Sequence, residues 1–305
     1  MPASSSPPVR PEPRLRYVVL FLMTVATTTI VGTAHYAGFF LAFKDGELPF
    51  TSVGLLMRGL WYSASIIAIL GAHEFGHYFA CRYYGVNASL PYFLPLPITI
   101  TGTLGAFIRI RQPIRSKRHL FDIGIAGPIA GFLVAVPVLM IGMYLSSVVE
   151  IPKDFTGVEL GEPLLFKAAT WLTFGSIQDG YTVNMHPMAF AAWFGLLATA
   201  LNLFPMGQLD GGHISYAVLG RKSTMVTIGT IACLVALTFI SVSWILWTVL
   251  TVGMLFAFGL QHPQTYDEGE PLDRGRVWLA LFAMLMFILC FTPAPMQPLD
   301  LVRTR

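Results

Sequence analysis

Between residues 225 and 260 the chain carries no charged side chain. As one helix this run would measure roughly 54 Å at 1.5 Å per residue. A hydrocarbon core is about 30 Å thick, so the run is too long for one crossing. It is expected to fold back near Ser241, Val242 and Ser243. Further apolar stretches lie at 17–43, 53–81, 119–146, 187–204 and 277–292. The first is too long for a signal-peptide core and lacks a cleavage site, so it is read as a permanent span. Only 11% of the 305 residues are charged and 55% are hydrophobic, against roughly 25% charged in a soluble domain. Lipid must therefore be part of the solvent. The fold class expected is an all-α polytopic membrane protein of about seven transmembrane helices with a small membrane-edge β-hairpin.

The distribution of lysine and arginine orients these spans. With the N-terminus inside, thirteen of the 19 Lys and Arg fall on the cytoplasmic side, among them Arg82, Arg109, Arg111, Arg115, Lys117 and Arg118. The 150–185 loop then lies outside. One strain is the acidic 261–276 segment, which this orientation puts inside. A net charge of +3 gives no reason to expect a nucleic-acid partner. Residues 1–14, rich in Pro, Ser and Arg, read as a disordered basic tail. Residues 15–292 form the domain, with its core at about 53–220, and 293–305 form a C-terminal tail. Cys81, Cys233 and Cys290 sit singly in apolar stretches and read as buried, inert thiols.

Two segments resist a helical reading. Pro91, Pro95 and Pro97 cannot continue a helix, and 98–110 is rich in Thr, Ile and Gly. Gly102 and Gly105 permit a reversal, so 98–110 is expected to form a β-hairpin near the cytoplasmic boundary. Within the outer loop, 163–174 reads as a short interfacial helix.

Against this apolar background, His73-Glu74-Phe75-Gly76-His77 is conspicuous. On a helix, positions i and i+4 share a face, so both imidazoles can reach one metal ion, and Glu74 can act as general base on a water. The plainer reading is two histidines hydrogen-bonded to backbone in a packed helix. The membrane shifts that balance, because an ionisable group at mid-bilayer costs at least about 2.5–3.5 kcal/mol and is kept where it pairs, binds metal or lines a wet cavity. Away from span edges only two carboxylates interrupt the apolar runs, Glu74 and Asp210. Asp210 lies in Asn202-Leu203-Phe204-Pro205-Met206-Gly207-Gln208-Leu209-Asp210-Gly211-Gly212. Two His and one carboxylate form a known catalytic zinc set with the fourth position open. Both segments run outside to inside on this map, which brings the motifs to similar depth. The alternative for Asp210 is a helix cap for residues 213–219.

With these two motifs and Gly127-Pro128-Ile129-Ala130-Gly131, the chain resembles the site-2 proteases, intramembrane zinc metalloproteases. Asn202 to Gly211 matches that family's NxxPxxxLDG pattern, and the resemblance covers about residues 60–220. It is similar to plastid and bacterial members with a GTLGAF-like strand and no PDZ insertion. The resemblance implies His73, His77 and Asp210 as ligands of one zinc ion, Glu74 as catalytic base, and Asn202 as a hydrogen-bonding group that steadies the oxyanion. It also implies a membrane-protein substrate with a transmembrane helix, cut within or near that helix in regulated intramembrane proteolysis. The membrane expected is the bacterial cytoplasmic (inner) membrane, with the site toward the cytoplasm. Strand 98–110 is expected to hold the unwound substrate by strand addition. The alternatives are a membrane metal carrier, which has no need of a base beside the first ligand, and a catalytically silent scaffold homologue.

Other histidines receive blander readings. His213 packs or makes a polar contact, His119 and Asp122 are helix-end residues, and His35 is a neutral imidazole bonded to a neighbouring helix. His186 and His262 lie beyond span ends. Gly127, Pro128 and Gly131 are expected to allow close helix packing, and the arginine cluster at 109–118 to anchor the face against anionic lipid.

Overall fold

The computed structural model describes residues 13–41, 48–97, 100–152, 158–258 and 264–298. The N-terminal tail read at 1–14 falls almost wholly outside the described residues, as does His262. The first two helices, α1 (Arg14–Leu41) and α2 (Ser52–Tyr83), form an antiparallel pair. Thr51 caps α2 by accepting the Gly54 N–H at 3.1 Å. A side chain on Gly32 would strike the backbone of Gly59, and one on Gly59 would strike that of Thr29. Small residues thus let the two backbones meet, and Thr28 and Ser63 hydrogen-bond across the seam at 2.7 Å.

After α2 comes an antiparallel hairpin of β1 (Tyr92–Pro95) and β2 (Thr103–Phe107), with Tyr92 opposite Phe107 and Phe93 opposite Ala106. This corrects the expected hairpin within 98–110, since its first strand is the proline-rich segment. Pro95 is tolerated because a two-stranded ribbon has only edge strands. Its strands lie beside Tyr17 and Phe21, and its loop reaches the middle and C-terminal half of α1. There Thr27 donates to the Gly102 carbonyl, Tyr62 to that of Thr101, and His35 to that of Ile100, at 2.7–3.0 Å. Non-helical backbone at membrane depth needs such partners. His35 accordingly bonds this loop and not a neighbouring helix.

Helix α3 (Lys117–Tyr144) returns across the molecule. Three short strands, β3 (Ser147–Glu150), β4 (Val158–Leu160) and β5 (Tyr181–Asn184), and helix α4 (Leu164–Phe174) follow. The helix matches the expected 163–174 segment, while the strands were not anticipated. Helix α5 (Pro187–Asn202) is capped by the His186 side chain, which accepts the Met188 N–H at 3.3 Å. Trp193, Leu196, Ala189 and Ala192 of α5 are fully buried with Tyr62, Leu139 and Met143.

Helix α6 (Asp210–Leu219) and α7 (Ser223–Thr238) follow, joined by a 3-10 turn, and then α8 (Ser243–Phe258), so the 225–260 run does reverse between Thr238 and Ser243. Helix α9 (Arg274–Cys290) leads to β6 (Met296–Pro298), which pairs with β4. The expected C-terminal tail thus supplies a strand. The fold is mostly helical with small sheets. Among the described residues, four stretches are long and apolar enough to cross a membrane: α1, α2, α3 and Asp210–Thr238. The 16 residues of α5 span only about 24 Å as a helix. Enclosed by other helices, α5 has no need to match the bilayer.

Of the thiols, Cys81 and Cys290 are buried, but Cys233 on α7 is exposed, contrary to its sequence reading.

Candidate metal centre

His73 and His77 stand one turn apart on α2 and are 7% exposed each. Asp210 opens α6, and its position explains the glycines around it. Side chains on Gly211 or Gly212 would strike the carbonyls of Leu203, Phe204, Met206 and Gly207, while Gly207 has φ 54°. The chain therefore turns tightly enough to aim Asp210 back at α2. Leu209, not Asp210, occupies the N-cap position, and no side chain caps this helix. The capping alternative for Asp210 is thereby excluded.

The structure brings the three side chains together. His73 Nε2 lies 3.1 Å from His77 Nε2 and 3.2 Å from Asp210 Oδ2, and His77 Nε2 lies 3.2 Å from Asp210 Oδ1. Three donors bonded at about 2.0–2.1 Å with tetrahedral angles stand about 3.3 Å apart. With one Asp210 oxygen facing each imidazole, the three side chains converge closely enough to share one small divalent ion. His77 Nδ1 donates to the Ile123 carbonyl at 2.7 Å, which leaves the lone pair on Nε2, facing the cluster. Among the described residues this is the one group of three His, Cys, Asp or Glu able to hold a metal.

Helix α3 closes the back of the site. A side chain on Gly127 would overlap the His77 imidazole, one on Gly131 would press against His73 at 3.1 Å, and one on Gly76 would strike the Ala126 carbonyl. The expectation that Gly127 and Gly131 permit close approach is thus met at the two imidazoles themselves. Gly124, one turn before, has the same relation to the Cβ of His213.

In front, a cavity of about 200 Å³ is lined by His73, Glu74, Leu104, Gly105, Asn202 and Trp247 among others. Glu74 is buried there and accepts a hydrogen bond from the Ile108 backbone. Asn202, at the last position of α5, sets Nδ2 3.3 Å from His73 Nε2. A separate cavity of about 380 Å³ is lined by Arg111, Gln112, Ile114, Leu120, Gln208 and His213 among others. The largest cavity described, about 600 Å³ around His35, Phe39, Glu159 and Phe190, contains none of the cluster. Size is therefore a poor guide to the chemistry here, and converging donor atoms are the better one.

The Ile123 carbonyl and Trp247 were missed from the sequence. The first is backbone and leaves no mark in residue type. The second is one aromatic in an apolar helix, with no signal beyond its size. His119 stacks on Tyr84 with ring centroids 4.1 Å apart, and His186 is buried among Tyr36, Phe39 and Trp61.

The comparisons with known proteins agree with this geometry. The chain is 34% identical over 179 residues to the probable zinc metalloprotease EGY2, chloroplastic, of Oryza sativa subsp. indica, covering 57% of this chain and 32% of that protein. It is 30% identical over 256 residues to the Arabidopsis thaliana protein of the same name, covering 81% and 44%. To the Arabidopsis thaliana probable zinc metalloprotease EGY1, chloroplastic, it is 31% identical over 234 residues, covering 70% and 41%. The chain thus spans between a third and a half of these relatives' length. Residues 61–243, which include both motifs and Trp193, match the model for peptidase family M50. The chain belongs to peptidase family M50.

Proposed function

We propose that this chain is an intramembrane zinc endopeptidase that hydrolyses peptide bonds within or near the transmembrane segment of a membrane-protein substrate. The observation that carries this reading is the convergence of His73, His77 and Asp210 at 3.1–3.2 Å beside a buried Glu74. Zinc held by these three side chains would polarise the scissile carbonyl and acidify a water. Glu74 takes a proton from the attacking water and returns it to the leaving amine nitrogen. Asn202 offers its Nδ2–H where negative charge grows on the carbonyl oxygen.

A transmembrane helix hides its carbonyls in its own hydrogen bonds, so the substrate must unwind locally. Strand β2 supports an extended mode of binding, because Leu104, Gly105 and Ala106 line the same cavity as His73 and Glu74. A peptide added along β2 is held in reach of the base. Proline at Leu104 is expected to reduce cleavage and leave zinc content unchanged, and undiminished cleavage refutes strand addition.

The chain sits in the bilayer on our reading with seven crossings, α1, α2, α3, α5, α7, α8 and α9. The metal site then lies toward the Lys- and Arg-rich face. The expected bacterial cytoplasmic membrane draws no support from the relatives, whose names place them in chloroplasts. Single-span regulators cut in regulated intramembrane proteolysis are the substrate class that suits the site.

The deciding experiment uses Glu74→Gln in the full chain. Zinc content is expected to stay at one per chain while cleavage of membrane substrates, followed by proteomics of the released fragments, disappears. Cleavage that survives with zinc bound sinks the reading.

A further inference from the structure

The acidic connection between α8 and α9 was the one misfit in the charge-based orientation, and its contacts give it a role. Asp267 accepts from the Lys117 N–H at 2.7 Å and the Ser116 hydroxyl at 2.8 Å, at the start of α3. Its neighbour Glu268 accepts from the Tyr216 hydroxyl on α6 at 3.2 Å, and the Lys117 ammonium donates to the Glu268 carbonyl at 3.0 Å. Arg118 pairs with Glu270. Part of the basic cluster read as a lipid anchor therefore neutralises this strap.

The strap ends on its strongest contact. Arg276, in the first turn of α9, grips Asp122 of α3 with Nε at 2.9 Å and Nη2 at 2.5 Å. Tyr84, at the C-cap of α2, donates to the same carboxylate at 2.5 Å, and Asp273 holds the other edge of the guanidinium. Three helices thus converge on Asp122. The next residue is Ile123, whose carbonyl fixes the His77 ring. A backbone carbonyl cannot be tuned through its own side chain, so its place depends on what anchors the helix beside it. An isolated surface pair contributes little, but this one is two-pronged, partly enclosed and shared by a tyrosine.

We propose that Asp122, Arg276 and Tyr84 are positioning residues for the metal centre: they lock α3 against α2 so that the Ile123 carbonyl holds the His77 imidazole in its ligating orientation. The proposal rests on His73, His77 and Asp210 being a metal site. Groups behind a metal ligand commonly change metal affinity 10- to 100-fold when removed.

The test measures zinc affinity of the full chain by competition with a chromophoric chelator, and the visible spectrum of the cobalt-substituted protein. Asp122→Asn and Arg276→Gln are each expected to weaken zinc by about 10- to 100-fold and to shift the cobalt bands. Arg276→Lys keeps the charge but loses the two-pronged grip, and falls between. Arg118→Gln, which breaks an exposed strap pair away from Ile123, keeps wild-type affinity. Where a charge variant does not fold, Tyr84→Phe removes a single hydroxyl, with about a three-fold loss expected. Variants that lose thermal stability while zinc affinity stays within two-fold and the cobalt spectrum is unmoved overturn the clamp alone. A wild-type chain that binds no zinc overturns the metal reading, and the clamp with it.

Discussion

The α2–α3 seam and the α7–α8 hairpin are both apolar and helical, yet they are built on opposite terms. In the seam, glycines bring backbone against side chain: Gly76 lies against Ala126, Gly127 under the His77 ring and Gly131 beside His73. Gly229 on α7 and Gly253 on α8 have nothing within 4 Å of the place where a Cβ would stand. The hairpin is fastened chiefly through Leu234 and Trp244, which pack with Phe204 and Met206. The difference separates two jobs. The seam holds two imidazoles in place, and close packing suits that because it leaves a ring no room to turn. The hairpin covers the front of the cavity, where it contributes Trp247, and needs far fewer fixed contacts.

The sharpest way to break this contrast is one methyl group placed in each region. Gly127→Ala puts a Cβ into the His77 ring. Overpacking of this kind costs about 1–3 kcal/mol, and here the strain falls on a ligand, so zinc affinity is expected to drop by up to about 100-fold. Gly229→Ala adds the same methyl to open space and gains helix propensity of up to about 1 kcal/mol. Zinc titration and thermal unfolding of the two variants check this. Equal effects would mean that the seam is not the rigid element.

A smaller effect is expected at the hairpin's own contribution. Trp247→Ala removes an aromatic wall of the cavity without touching a ligand. Cleavage is expected to fall about ten-fold through a raised KM, with zinc content unchanged, because the loss is one of contact with bound peptide. A fall in zinc content would show that the hairpin also shapes the metal site.

The seam was far more legible in the sequence than the hairpin or the short strands that follow α3. His73, His77 and Asp210 stood out because an apolar medium makes every ionisable residue conspicuous. Gly127 and Gly131 were readable as close-packing positions for a related reason. The reversal near Ser241 followed from length alone. The β1–β2 hairpin was half legible: prolines at 91, 95 and 97 excluded helix, but they also hid a strand, since proline in a strand is ordinarily evidence against one. Strands β3, β4 and β5 carried too little alternation over three or four residues to be seen. The strap's ion pairs join residues about 150 positions apart, such as Arg118 with Glu270. Charge counting could only register them as a misfit.

The strap also ties the two compared regions together, and its contribution has a pH dependence of known sign. Burial alone would raise the Asp267 carboxyl, but the Lys117 N–H and the Ser116 hydroxyl outweigh it and hold the group below the usual carboxylate range. A depressed folded-state value means that the ionised form is the one bound by the native protein. Its stabilisation is therefore complete above the unfolded value of about 4, and is lost as pH falls through the lower folded one. Asp267 is half-buried at the start of α3, and a cap of this kind is expected to contribute about 1 kcal/mol. Unfolding of the wild type and Asp267→Asn, followed from pH 6 downward, should show a small gap that closes below about pH 4. A gap that widens with acid would reverse the assignment, and no gap at neutral pH would mean that α3 is held by Arg276 and the glycine seam without help from its cap.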